Sequence, residues 1–241
     1  MNDQCQVLVT GANGFVGSFL LAALHGSSLF SASAGLRKKS QWGVEGHVVG
    51  ELTADTDWSS ALARVGVVVH CAARVHKPCN DDSNTVKLWR QINVDGTLNL
   101  ARQAAGLGVK RFIFLSSIGV NGNESDRPLL PEDSPAPKTH YAMSKLAAEQ
   151  GLRDIHQKTG MEVVIIRPPL VYGPSAPGNF GFLNKVLDTG LPLPLAGIHN
   201  KRSFVSVWNL VDLIMICIVH PNAAGEVFLC ATDRMSRHQS Y

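Results

Sequence analysis

The stretch that decides the fold is VLVTGANGFVG, residues 7–17. A short apolar run, Val7 to Val9, leads into three glycines spaced GxxGxxG, and an apolar helical pattern follows from Phe15 to Leu24. Glycine suits this turn because a side chain would hold the main chain away from a phosphate, and the helix N-terminus attracts anions. The stretch therefore predicts a dinucleotide site on a strand–turn–helix unit; a turn that binds nothing is the alternative. The expected contact residues are Gly11, Asn13, Gly14, Phe15, Val16 and Gly17.

Further apolar runs alternate with helical patterns along the first two thirds of the chain. Strands are predicted at Ser31 to Leu36, His47 to Val49, Val67 to His70, Phe112 to Leu115 and Val163 to Ile166, and helices at Val94 to Leu107 and Tyr141 to Thr159. The strand runs are apolar throughout, which is typical of parallel strands covered on both faces. The fold class is therefore α/β, with a doubly wound parallel (Rossmann) sheet.

The pattern changes after Arg167, where Pro and Gly become frequent. Beyond it we predict a helix over 179–187, a strand over 203–207, a helix over 209–219 and a strand over 226–230. In open α/β sheets the ligand crevice lies at the carboxyl ends of the strands. We therefore expect a Rossmann domain over 1–167 and a small substrate lobe over 168–241.

Composition excludes several classes of protein. The 241 residues are 45% hydrophobic and 17% charged, with a net charge of +3, which is unlike a disordered chain. No long basic run points to nucleic acid, no HxH, HExxH or CxxC spacing points to a metal, and no apolar stretch is long enough to span a membrane. The first six residues lack the features of a signal peptide, so we expect a cytoplasmic protein.

The segment after the second predicted strand bears on the choice between NAD and NADP. It reads GLRKK, residues 35–39, with no carboxylate before Glu45. An acidic residue here would bind the ribose 2′-hydroxyl of NAD, whereas arginine accepts the 2′-phosphate of NADP. Arg37 therefore favours NADP, and a solvated basic loop is the alternative.

Three polar residues near two predicted elements form a candidate catalytic set. Tyr141 and Lys145 are four residues apart and so share one helix face. A neighbouring ammonium and the positive nicotinamide of an oxidised cofactor favour the phenolate and lower the pKa of a tyrosine, which can then exchange protons near neutral pH. Ser117 ends the fifth strand at the same sheet edge, where its hydroxyl can bind a substrate oxygen.

These elements, in this order, resemble the extended short-chain dehydrogenase/reductase family, in its nucleotide-sugar epimerase/dehydratase branch. The resemblance runs from about Val7 to Thr232. It rests on TGANGFVG at 10–17, HCAA at 70–73, NVDGT at 93–97, SSIGV at 116–120, YAMSK at 141–145, RPPLVYGP at 167–174 and RSFVSV at 202–207.

The resemblance implies a role for each matching position. Ser117 matches the catalytic serine, Tyr141 the acid/base, and Lys145 the lysine that holds the nicotinamide ribose and tunes the tyrosine. Further cofactor contacts are implied for Glu51 and Leu52 near the adenine, Ala72 and Ala73 through their main chain, Asn93 behind the active site, and Pro168. Asn179 and Arg202 resemble residues that, with Ser117, hold the nucleotide-sugar substrate, and they would bind its diphosphate.

Two departures from the family pattern qualify these expectations. Leu170 stands where 4-epimerases carry asparagine, so one polar contact to the substrate is missing or comes from elsewhere. The family usually continues for two or more helices beyond the strand matching Val227 to Cys230, so we expect a substrate lobe that is truncated at its C-terminus.

The leading functional hypothesis is an NAD(P)-dependent oxidoreductase that transfers hydride at C4 of a UDP-hexose or its 4-keto derivative. It would be a 4-epimerase or 4-keto-reductase of surface polysaccharide synthesis, acting alone or as a homodimer. Arg37 and Leu170 favour the reductase slightly. A reductase of a hydrophobic ketone, of steroid or flavonoid type, and a dinucleotide-binding protein without turnover are the alternatives.

Overall fold

The computed structural model describes residues 4–39, 45–75, 83–177 and 203–231. Its strands are β1 Cys5–Thr10, β2 Phe30–Leu36, β3 Gly46–Val48, β4 Val67–His70, β5 Arg111–Leu115, β6 Glu162–Arg167, β7 Leu170–Tyr172, β8 Phe204–Ser206 and β9 Val227–Leu229. Seven of these form one parallel sheet in the order β3-β2-β1-β4-β5-β6-β9. The predicted doubly wound fold is confirmed.

Helices cover both faces of this sheet. They are α1 Phe15–His25, α2 Ser59–Leu62, α3 Ser83–Arg90, α4 Thr97–Gly106, α5 His140–Thr159 and α6 Val207–Val219. One buried cluster joins β1 residues Val7 and Val9 to α1 and α6. The other joins Leu8, from the opposite face of the same strand, to α2, α4 and α5. Alternate residues of β1 thus serve two cores, which explains its apolar sequence.

The strand order places the crevice of the sheet. The chain builds outward from β1 through β2 to β3, then crosses back and continues from β4 to β9. The gap between the carboxyl ends of β1 and β4 is therefore the switch point, where ligands bind in open α/β sheets. Gly11 follows β1 there, and Cys71 follows β4.

The observed helices differ from the prediction in one informative place. The segment predicted as a helix over 94–107 begins as a π-helical turn, Gln91–Gly96, before α4. Such turns occur frequently at functional sites because they redirect a side chain. The helix α5 follows the prediction closely. Thr139 caps its start by accepting a hydrogen bond from Ala142 N, and Gly160 ends it with φ of 75°.

Beyond β6 the chain contributes to two sheets. β7 and β8 form a separate two-stranded parallel pair, whereas β9 pairs with β6 and completes the main sheet. Helix α6 belongs to the same core as α1. Part of the lobe expected over 168–241 thus shares the main core, and the division at residue 167 stays a prediction. The helix predicted over 179–187 lies outside the described residues.

Candidate functional site

The glycine-rich turn is shaped by close contacts between main-chain atoms. Gly11 has φ of 70°, and a Cβ atom there would lie 2.7 Å from Ala72 N. A Cβ at Gly17 would lie 2.2 Å from Gly11 O. Gly14 has an ordinary φ of −85° and is the N-cap of α1, with no side chain capping the helix. Of the three glycines only Gly11 needs a positive φ, whereas Gly17 is required by space.

A buried histidine ties this turn to its neighbours. His70, at the end of β4, lies 2.7 Å through Nδ1 from Thr10 Oγ1 and 2.9 Å through Nε2 from Thr97 Oγ1. Its ring stacks on Phe114, 6.0 Å between centroids. Burial, together with the nearby charge of Lys145, lowers the pKa of His70 to about 3. The ring is therefore neutral and joins β1, β4 and α4 by hydrogen bonds alone.

Asn93 holds the segment that follows β4. Its Oδ1 accepts a hydrogen bond from Arg74 N at 2.8 Å, and its Nδ2 donates to Arg74 O at 3.2 Å and to Ser144 Oγ at 3.0 Å. Both ends of the amide are thus used within the protein, and the residue is buried. Asn93 positions the main chain after Ala72 and Ala73 against helix α5, which agrees with a place behind the active site.

The end of β2 carries a charge pattern that the sequence does not reveal. Arg37 Nε lies 3.7 Å from Glu51 Oε1, and both side chains are more than half exposed. Leu52 beside it is buried against Gly96, where an added Cβ would lie 2.7 Å from Leu52 Cγ. The Glu51 carboxylate therefore lies beside the cationic segment that follows β2. A carboxylate in this position favours a ribose hydroxyl as its ligand.

The predicted catalytic residues follow β5 and begin α5. Lys145 Nζ donates to Leu115 O at 2.8 Å, and lies 4.5 Å from the Phe114 ring centroid and 5.8 Å from that of Tyr141. Ser117, two residues after β5, is half-buried and accepts a hydrogen bond from Gly119 N at 3.2 Å. The end of β5 and the first two turns of α5 thus place Lys145 beside Tyr141, and Ser117 follows the same strand end.

Burial changes the expected acid–base properties of this set. The sequence predicts that Lys145 lowers the pKa of Tyr141, but burial instead raises the Tyr141 pKa to about 12. Burial also lowers the pKa of Lys145 to about 8, while Cys71 and Glu149 raise it. Burial thus raises the Tyr141 pKa in the protein alone, and the lowered pKa expected with the oxidised cofactor bound stays a prediction.

A buried ion pair behind the catalytic helix was missed by sequence reasoning. Glu149 on α5 accepts hydrogen bonds from Arg167 Nε at 2.9 Å, from Arg167 Nη2 at 2.6 Å and from Ser116 Oγ at 2.5 Å. Arg167 Nη1 donates to Asn121 Oδ1 at 2.9 Å. Glu149 and Arg167 are 0% and 2% exposed. The network joins α5, β5 and β6 directly behind Ser117 and Lys145.

The remaining predicted site residues fall into two groups. Pro168 is buried, and its carbonyl accepts a hydrogen bond from Ile118 N at 2.9 Å, next to Ser117. Phe15 and Val16 begin α1 and are half-buried, and Asn13 is exposed. Asn179 and Arg202 lie outside the described residues. Within the described ranges no three His, Cys, Asp or Glu side chains cluster as a metal site would require, and no helix is long and apolar enough to cross a membrane.

Fold and site together define the class of protein. A doubly wound parallel sheet, with a glycine-rich turn at its switch point and a Ser–Tyr–Lys set at the same edge, is that of a short-chain dehydrogenase/reductase. The NAD dependent epimerase/dehydratase family matches residues 7–231, and the chain belongs to it. The resemblance seen in the sequence is thus confirmed, as is the expectation of an enzyme of this family.

Known relatives are similar over most of the chain. A UDP-glucose 4-epimerase from Vibrio cholerae is 45% identical over 230 residues, covering 92% of this chain and 69% of that protein. The N-acetyl-alpha-D-glucosaminyl-diphospho-ditrans,octacis-undecaprenol 4-epimerase of Escherichia coli O157:H7 is 32% identical, covering 95% and 67%. Among solved structures, MoeE5 in complex with UDP-glucuronic acid and NAD is 26% identical with a TM-score of 0.80, covering 94% and 76%.

Proposed function

We propose that the chain is an NAD-dependent 4-epimerase of a UDP-hexose. The observation that carries the proposal is the position of Lys145, 5.8 Å from the Tyr141 ring centroid, at the sheet edge where the glycine-rich turn follows β1. The relative at 45% identity supports it, since that protein is named as a UDP-glucose 4-epimerase. The finer assignments to a particular sugar and to surface polysaccharide synthesis stay predictions.

The residues at the switch point fit the cofactor that the family name implies. A main chain without side chains at Gly11 and Gly17, beside an uncapped helix start at Gly14, suits a pyrophosphate. Glu51 would accept a hydrogen bond from the adenosine ribose and Lys145 would donate to the nicotinamide ribose, as the family resemblance implies, and both contacts stay predictions. This arrangement favours NAD, and the preference of Arg37 for NADP stays a prediction.

NAD, which the main chain of the glycine-rich turn would hold, would supply the hydride acceptor and donor for C4 of the sugar. Tyr141 takes the proton from O4 in the first half of the reaction and gives it back in the second. Ser117 donates a hydrogen bond to O4. Lys145, held on Leu115 O, keeps a positive charge close to the Tyr141 ring.

The Tyr141 pKa is about 12 in the protein alone, so it must fall when cofactor and substrate are bound. A phenolate is needed to take a proton, so positive charge must come near the ring and lower that pKa. Lys145, with a pKa of about 8, is mostly protonated at pH 7 and supplies part of this charge. We therefore expect turnover to rise with pH from 6 to about 8 and to level off above pH 8, where Lys145 loses its proton.

Incubation with UDP-glucose and NAD tests the proposal, with NMR used to follow C4. UDP-galactose should form without net production of NADH. Tyr141→Phe should lower the turnover about a hundredfold, the usual size of a general acid–base contribution, while NAD affinity stays close to that of the unchanged protein. Met143→Leu, on the exposed face of the same helix turn, is the control.

Net oxidation of NADH or NADPH by a UDP-4-keto-hexose, without epimer formation, would instead establish the 4-keto-reductase. Leu170 and Arg37 are the residues in favour of that outcome. The reductase of a hydrophobic ketone has weaker support, in a dihydroflavonol 4-reductase from Hordeum vulgare at 26% identity. The homodimer and the cytoplasmic location stay predictions.

A further inference from the structure

Two buried nitrogen donors near Tyr141, one on Trp89 beside it and one on Arg74 beside Trp89, have no acceptor in the part of the chain that the structure describes. The Trp89 indole Nε1 and the Arg74 guanidinium Nε are both buried, and neither has a hydrogen-bond partner among the residues that the structure describes. The Arg74 guanidinium carbon lies 5.9 Å from the Trp89 ring centroid. The Trp89 ring in turn meets the Tyr141 ring edge-on, with centroids 5.7 Å apart.

Both donors are held in place by other contacts. Asn93 binds the main chain of Arg74 on both sides, through its N and its O. Trp89, in the last turn of α3, is only 4% exposed and lies between the guanidinium and the tyrosine ring. The two N–H groups are therefore ordered before any ligand arrives, which reduces the entropy lost on binding.

An unpaired buried donor carries a cost that a ligand can remove. Leaving a buried N–H without an acceptor costs about 1–3 kcal/mol. Protein structures keep such groups rarely, and each calls for an explanation. A third orphan, Trp58 Nε1, is enclosed in the core of α2, α4 and α5. The pair at 74 and 89 differs from it because Trp89 lies against the proposed acid/base residue and Arg74 lies against Trp89.

We propose that Arg74 and Trp89 form a recognition subsite for the substituent that distinguishes one sugar substrate from another. The subsite takes a trigonal oxygen, the carbonyl oxygen of an acetamido group or an oxygen of a carboxylate, on the hexose ring of the nucleotide sugar. This inference rests on the proposed function, since it assigns the substrate class of that same site.

The donor types are matched to this ligand chemistry. A guanidinium binds planar oxygen acceptors in a fixed geometry, and its charge makes the hydrogen bond stronger than a neutral one. An indole N–H can only donate, so it too requires an acceptor oxygen. A plain hydroxyl is a poorer partner for two donors, because it brings a donor hydrogen of its own.

The test compares kcat/KM for UDP-glucose, UDP-N-acetylglucosamine and UDP-glucuronic acid, with NAD present. The unchanged protein should prefer one of the two substituted sugars, and the preferred one identifies the substituent. Trp89→Phe removes the N–H but keeps an aromatic ring beside Tyr141. Arg74→Gln removes the guanidinium. Each variant should lower the preference over UDP-glucose by about tenfold or more, the size of a lost buried hydrogen bond.

Trp58→Phe is the matched control, because it removes an orphan indole N–H far from Tyr141. It should leave the preference among the three sugars unchanged. Equal losses on all three sugars in Trp89→Phe would show that Trp89 only packs against Tyr141, and would overturn the proposal. A preference unaffected by both variants would overturn it as well.

Binding measured by calorimetry separates this proposal from the proposed function. If the NAD-loaded protein turns over none of the three sugars, the 4-epimerase assignment fails. The subsite still stands in that case if one substituted sugar binds more tightly than UDP-glucose and loses this advantage in Trp89→Phe and Arg74→Gln. Equal binding of all three, or of none, overturns the subsite.

Discussion

The glycine-rich turn and the catalytic helix α5 meet at one sheet edge but are held there in opposite ways. The turn is shaped by main-chain contacts. Beneath it, the uncharged ring of His70 is hydrogen-bonded to the hydroxyls of Thr10 and Thr97. The helix is held by a charged pair, Glu149 with Arg167, from which water is excluded. The cofactor half of the site therefore depends on space, and the catalytic half depends on charge balance.

The largest effect is expected where a buried charge loses its partner. Glu149→Gln leaves the Arg167 guanidinium buried without its carboxylate, and removal of one partner from such a pair costs about 3–5 kcal/mol. Urea unfolding should show this loss of stability. Arg153→Ala is the control, because its exposed guanidinium lies 3.9 Å from the same carboxylate and contributes little.

A double variant sharpens this first comparison. Replacing Glu149 and Arg167 together by methionine removes both charges and fills similar space, so the protein should recover most of the stability lost in Glu149→Gln. Turnover should stay reduced, because the ion pair also positions α5 against β5. A double variant as unstable as the single one would show that the shape of the pair, and not its charge balance, holds the helix.

The sequence is informative about the turn and the catalytic residues for local reasons. The glycine spacing is readable because a main chain packed this closely excludes side chains, and Tyr141 and Lys145 are four residues apart on one helix. The Glu149 network could not be predicted, because its members come from three distant elements and none belongs to a local pattern. The pairing of Arg37 with Glu51 was missed for the same reason.

The second-largest loss of stability is expected where an added side chain would crowd the glycine-rich turn. Gly11→Ala forces a side chain into a left-handed φ and places its Cβ 2.7 Å from Ala72 N, so strain and overpacking together should cost about 2–4 kcal/mol. Gly108→Ala is the matched control. Gly108 also has a positive φ, 79°, but an added Cβ would meet no atom within 4 Å. It should cost only about 1 kcal/mol.

Loss of NAD affinity separates the same two variants. Gly11→Ala moves the main chain that would face the pyrophosphate, so fluorescence titration with NADH should show much weaker binding. Gly108→Ala lies outside the site and should bind NADH as the unchanged protein does. If the two glycine variants lost the same stability, the contact with Ala72 would carry no weight in shaping the turn.

The neutral network under the turn should make stability depend on pH. The His70 pKa is about 3 in the folded protein and about 6.5 in the unfolded chain, so the unfolded state binds the extra proton between these values. Stability from this residue is therefore present above pH 6.5 and is lost as the pH falls. The expected loss between pH 7 and pH 5 is about 2 kcal/mol.

His70→Gln checks this pH effect because glutamine can hydrogen-bond both threonines without titrating. Its free energy of unfolding, compared with that of the unchanged protein, should fall less steeply between pH 7 and pH 5. At pH 8 the unchanged protein should be the more stable of the two, because the stacking on Phe114 is lost in the variant. Parallel pH curves would mean that the pKa of His70 is the same in the folded protein and in the unfolded chain.

The smallest effect is expected at the exposed end of the cofactor half. Arg37 and Glu51 are 3.7 Å apart and well solvated, so each contributes weakly to stability but acts directly on the charge of the ligand. Glu51→Gln removes the carboxylate that would repel a 2′-phosphate and should shift the ratio of NADP to NAD affinity upward by about threefold to tenfold. Arg37→Ala should shift the ratio downward.

Titration of each variant with both cofactors measures the ratio, and Lys38→Ala, next to Arg37, controls for a general change in charge. A ratio that falls equally in Arg37→Ala and Lys38→Ala would show that the whole basic segment, and not the Arg37–Glu51 pair, decides which cofactor binds.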